Sequence, residues 1–67
     1  MTTEAKTRII NRLEAVFSGP GRAAAVNEVL TCERYPEYLS GILAQAGGEN
    51  EEAALLAWAT RRGQIWE

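Results

Sequence analysis

The chain has 67 residues, one cysteine, no histidine and a formal net charge of −2, and every acidic side chain is a glutamate. That length allows one domain with a modest core, because a chain this short buries only about 60% of the surface it exposes when unfolded. The composition excludes an intrachain disulfide, leaves a zinc site without its usual ligands and removes the familiar catalytic triads, which need histidine or aspartate.

Glycine and proline divide the sequence into four helical segments. The first is predicted from about Glu4 to Phe17. Thr2 or Thr3 can cap it, and Glu4 lies in the first turn, where the helix dipole favours a negative charge. Ile9, Leu13, Val16 and Phe17 fall at i, i+4, i+7 and i+8, and Ile10 widens this apolar stripe. Lys6, Arg8 and Arg12 lie away from its centre. Ser18-Gly19-Pro20-Gly21 then ends the helix, since glycine suits a left-handed position and proline cannot continue the ladder.

The second segment begins near Pro20 or Arg22 and ends near Arg34, because Tyr35 precedes a proline and is pushed out of the helical region. Ala23, Ala24 and Ala25 favour helix and allow close approach of a neighbour, while Val26, Val29 and Leu30 form a narrow apolar stripe. The third segment runs from Pro36 to about Ala46. Tyr35, Tyr38, Leu39, Ile42, Leu43 and Ala46 give it the best helical periodicity in the chain. Gly41 inside it costs roughly 1 kcal/mol relative to alanine, so it marks either a close crossing or a tolerated loss. Gly47-Gly48 stops this helix.

The fourth segment is predicted from about Glu51 to Arg62, with Asn50 as N-cap, Glu51 and Glu52 at the positive end, and Arg61 and Arg62 at the negative end. Gly63 suits the C′ position. Gln64-Ile65-Trp66-Glu67 then folds back, or the helix continues through Gly63. Short connections between the segments favour antiparallel neighbours, and the expected fold is all-α: a compact bundle of three to four short helices forming one domain over residues 1–67.

Charge is uneven along the chain. Residues 1–34 carry five basic side chains against four glutamates, and residues 35–67 carry two against five. No strong basic footprint for nucleic acid results. Cys32 has no histidine to activate it and reads as a small, partly buried side chain whose acidity Arg34 and a helix end would raise slightly. The cluster Glu49, Glu51 and Glu52 lacks the spacing of a calcium loop and reads as compensation of the helix dipole. Gly19-Pro20-Gly21 is a turn and not a phosphate loop. No cofactor or metal is expected, nor is catalysis. The longest apolar run, Ala53 to Ala59, is too short to span a bilayer, and the lone cysteine with no apolar signal core points to the cytoplasm.

Two binding functions follow. In the first, the protein docks on a protein partner, or on a second copy of itself as a homodimer, as a regulator, inhibitor or assembly factor. Trp58, Ile65 and Trp66 fall at i, i+7 and i+8 and share one face if the last helix passes Gly63, and Tyr35 and Tyr38 open the third helix. Aromatic side chains dominate binding hot spots because they bury large area at low entropic cost. The competing use of these rings is the protein's own core. In the second function, the third and fourth helices form a helix-turn-helix DNA reader about Gly48, with Ala44 and Ala54 as the small packing residues. The run Tyr38-Leu39-Ser40-Gly41-Ile42-Leu43, the glycine turn and the alanine-rich helix that follows resemble small phage-type repressors. The chain departs from that pattern in presenting Glu49, Glu51 and Glu52 where a reading helix should meet phosphate, so protein docking is favoured over nucleic acid. A membrane-surface role for the amphipathic first helix ranks last.

Overall fold

The computed structural model describes residues 1–48 and 50–67, which form α1 (Thr3–Val16), α2 (Pro20–Arg34), α3 (Pro36–Ala46) and α4 (Glu51–Trp66), with no strand among them. Predicted caps set most of the boundaries. Thr2 Oγ1 accepts the Ala5 N–H at 3.1 Å, and Asn50 Oδ1 accepts the Ala53 N–H at 2.8 Å. Tyr35, held extended by the following Pro36, closes α2 and opens α3. Gly47 and Gly48 both take positive φ (68° and 102°), a conformation open to glycine at no steric cost.

Helix directions follow from the contacts. The Lys6–Glu33 pair at 2.7 Å sets α1 antiparallel to α2, and the meeting of Gly63 with Gly21 sets α4 antiparallel to α2. Helices α1 and α4 therefore run parallel, joined by Arg8–Glu52 at one end and Phe17–Gly63 at the other. Helix α4 contacts all three others. Its buried residues Leu55, Ala59 and Gly63 recur every fourth position, as do Gly21, Ala25 and Val29 of α2. At the crossing glycine faces glycine, and Ala25, Val29, Leu55 and Ala59 carry the two stripes into the core. The helices approach so closely at this end that a Cβ on either glycine would meet the other's carbonyl oxygen. Phe17 lies over Gly63 at the tight end, and Leu39 and Ile42 of α3 join the same core.

Two expectations are corrected here, and two open alternatives are decided. Val16 is exposed, because α1 ends there and Phe17 alone turns inward. Leu30 is exposed, whereas Val29 of the same predicted stripe is buried and Val26 packs against the core, because the α2 contact face turns toward Gly21, Ala25 and Cys32. Of the two readings of the tail, continuation holds: the helix runs through Gly63 to Trp66, so Gly63 is not a C′ residue. Of the two readings of Gly41 the tolerated loss holds, since nothing lies within 4 Å of a Cβ built there, and the close crossing is at Gly63. Gly41→Ala should therefore stabilise the protein by about 0.5–1 kcal/mol, through helix propensity and a less flexible unfolded chain. A thermal melt followed by circular dichroism checks this.

Cys32 is buried, and its thiol is pushed up to about 11, first by burial and second by the nearby Glu28 charge. The slight acidification expected from Arg34 does not occur. Iodoacetamide at pH 8 should label the native protein about a hundredfold more slowly than the unfolded chain, since the thiolate is the reactive form. Burial favours the neutral thiol, so its contribution to stability is complete below the ordinary value of 9.0 and is lost as pH rises toward 11.

Candidate docking site

Glu28 enters the core side of α2 from a sequence position that looks like any surface glutamate. Its Oε1 accepts hydrogen bonds from Tyr38 Oη on α3 and Trp58 Nε1 on α4, both at 2.6 Å, and Arg62 Nε lies 3.6 Å from the same oxygen. Tyr38 meets Trp58 edge-to-face at a centroid separation of 6.4 Å. The hydrogen bond to Glu28, followed by burial, raises the Tyr38 phenol above its ordinary value. One carboxylate thus ties three helices together through two aromatic side chains. Tyr38 and Trp58, both half-buried, serve the fold first.

Trp58 has a second role on its outer side. Arg61 and Arg62 follow it at i+3 and i+4, and their guanidinium carbons lie 6.0 and 5.2 Å from the ring centroid. Together with Ile65 they line an open hollow of about 230 Å³. Among the described residues, no carboxylate pairs with Arg61, and Glu28 pairs with Arg62 only at long range. Read as dipole compensation in the sequence, these arginines are also held above an aromatic ring. Their i+3 and i+4 spacing from Trp58 was the available signal.

Beyond the hollow, Ile65 is 72% exposed and Trp66 is 63% exposed. Trp66 follows Ala59 and Gly63 on the core-facing stripe, but it lies past the crossing with Gly21, where no other helix covers it. The last turn is nevertheless fixed. Gly19 caps α2 without a side chain and Pro20 has no N–H, so the Gly21 N–H is left to Glu67, whose Oε2 accepts it at 3.1 Å. A carboxylate at a helix N-terminus is favoured by charge as well as by hydrogen bonding. Val16, 66% exposed at the end of α1, lies toward this same end of the bundle.

The predicted binding residues thus separate into four groups. Ile65 and Trp66 stand free, Trp58 lies beneath the arginines, and Tyr38 is turned inward. Tyr35 is exposed but lies at the other end of α2, about 21 Å along the helix from Gly21. There it borders a smaller hollow with Leu30 and Arg34. The structure does not bring Tyr35 to the α4 surface.

Another hollow, of about 340 Å³, lies between α1 and α4 and is lined by Arg8, Ile9, Asn11, Arg12, Glu52 and Leu56. Arg8 and Glu52 close it with two parallel hydrogen bonds of 2.9 and 2.8 Å, which hold the Glu52 carboxyl below its ordinary value. Glu52 is thus occupied by Arg8, Glu51 lies in the first turn of α4 as expected, and Glu49 falls outside the described residues. Among the described residues no three potential metal-ligating side chains gather, and no helix is long and apolar enough to cross a membrane. Ala44, placed in the helix contact by the helix-turn-helix layout, is exposed, and α4, the intended reader, is packed by three helices. Comparison with family models, curated proteins and solved structures finds no match for the chain.

Proposed function

We propose that the protein acts by binding, as a regulator, inhibitor or assembly factor that docks on another protein in the cytoplasm through the last turn of α4. The observation that carries this reading is the exposure of Ile65 and Trp66 on a helical turn anchored by the Gly21–Gly63 crossing and by Glu67. Two large apolar side chains held in a fixed orientation lose little entropy on docking, which is how aromatic hot spots gain affinity. A second copy suits this surface less well, since a symmetric contact would place Arg61 and Arg62 of one copy against the same pair of the other. Duplex reading is disfavoured by the burial of α4 against the other helices.

The test is a nuclease-treated pull-down from native lysate with the tagged wild type and Trp66→Ala, the bound proteins being quantified by mass spectrometry. A stoichiometric protein captured by the wild type should fall at least about thirtyfold in affinity with the variant, the scale of one hot-spot residue. Circular dichroism should show unchanged helicity. Equal capture by both chains, or recovery of nucleic acid alone, would remove the proposal.

A further inference from the structure

Resting on the docking reading, a chemical class of partner can be specified. We propose that the α4 surface receives an acidic apolar segment of a partner protein: an aliphatic or aromatic side chain seated in the hollow beside Ile65, with neighbouring carboxylates on Arg61 and Arg62. Charge complementarity argues this. The hollow is walled by Trp58 and Ile65 and rimmed by two guanidinium groups, with no glutamate among its lining residues. Arg61 has its donors unused by any carboxylate among the described residues, and Arg62, which also reaches Tyr38, meets a Glu28 oxygen that already accepts two hydrogen bonds.

The arginines are also positioned for this task. Both lie within 6.0 Å of the Trp58 ring centroid, and Glu28 fixes that ring through its indole N–H. An arginine resting on an aromatic ring keeps its planar fork of N–H groups available, and a carboxylate matches that fork with two parallel hydrogen bonds. The chain as a whole carries a net charge of −2, so a basic apolar site on it discriminates by local charge. An acidic segment is attracted to this end of the bundle, whereas a basic one gains nothing from Arg61 and Arg62.

A displayed random-peptide library selected on the immobilised full chain, with counter-selection on an Ile65→Ala/Trp66→Ala chain, tests the inference directly. The recovered peptides should combine Leu, Ile, Met or Phe with flanking Glu or Asp. A synthetic binder should lose about tenfold in affinity when its carboxylates become amides, and a similar factor against Arg61→Glu, an exposed change whose folding is verified by a thermal melt. Dependent binders without acidic residues would overturn the acidic class and leave docking at α4 standing. No binder that depends on Ile65 and Trp66 would overturn docking itself. Trp66-dependent binding to phosphatidylglycerol vesicles, with no peptide recovered, would assign the surface to anionic lipid and overturn the protein partner.

Discussion

Gly63→Ala is expected to lower stability by about 2 kcal/mol, a fall of roughly 8–16 °C in melting temperature for a domain of this size. A Cβ at this position would lie 2.7 Å from two carbons of the Phe17 ring and 3.0 Å from the Gly21 carbonyl oxygen. Overpacking costs about 1–3 kcal/mol in a well-packed interior and more where backbone must move. The cost falls at the high end here, because a carbonyl oxygen cannot rotate away as a side chain does. Alanine also gains about 1 kcal/mol of helix propensity over glycine, which offsets part of the loss. Gly21→Ala meets the same crossing from the other side, with the Gly63 carbonyl oxygen 2.6 Å from the added Cβ. It should behave similarly, and the double variant should cost less than the sum, since the first substitution already separates the helices. Gly41→Ala, also within a helix, should change stability in the opposite direction. A Gly63→Ala melt within about 2 °C of the wild type would show that α2 and α4 can separate at little cost.

That pair of glycines also shows where sequence reading succeeds and where it stops. Helix boundaries were legible because they depend on local chemistry: Thr2, Asn50, Pro20, Pro36 and Gly47 act on neighbours a few residues away. Packing faces were legible where they were made of large side chains, as with Ile9, Leu13, Leu39 and Ile42. In α2 they were legible in part: Val29 and the alanines were expected at the contact, whereas Gly21 read as a turn residue. Hydropathy weights large apolar residues, so Leu30 drew the predicted stripe away from the small residues that let two backbones meet. The same bias placed Val16 in the core.

The candidate site divides along a similar line. Ile65 and Trp66 were legible as large apolar residues beyond the glycine that was expected to end the helix. The arginines above Trp58 are local in sequence and could have been placed by spacing alone. Glu28 was not legible at all: its partners Tyr38 and Trp58 lie ten and thirty residues away, and only the assembled bundle brings them to one oxygen.

Glu28→Ala should therefore cost about 2–3 kcal/mol, although it removes a single side chain from the flank of the core. Hydrogen bonds to a charged group contribute about 1.5–3 kcal/mol each when measured by deletion, and two neutral donors would lose their shared acceptor together. The loss is moderated because Tyr38 and Trp58 are half-buried and water can reach them in part. Glu28→Gln should cost about half as much, since an amide oxygen accepts the same two donors without the charge that attracts Arg62. Phenolate absorbance separates the two effects. Glu28 raises the Tyr38 phenol, so the stability it confers is complete below the ordinary value of 10.0 and is lost as pH climbs past it. In Glu28→Ala the tyrosine should titrate closer to that ordinary value, and Trp58 emission should shift to the red as its indole meets water. An unchanged titration with a lowered melting temperature would mean that Glu28 acts through packing alone. Because Trp58 supports Arg61 and Arg62, loosening its ring should also weaken capture of the partner even though Ile65 and Trp66 remain in place. Destabilisation and lost affinity should thus appear together in this variant, whereas Trp66→Ala should lose affinity alone.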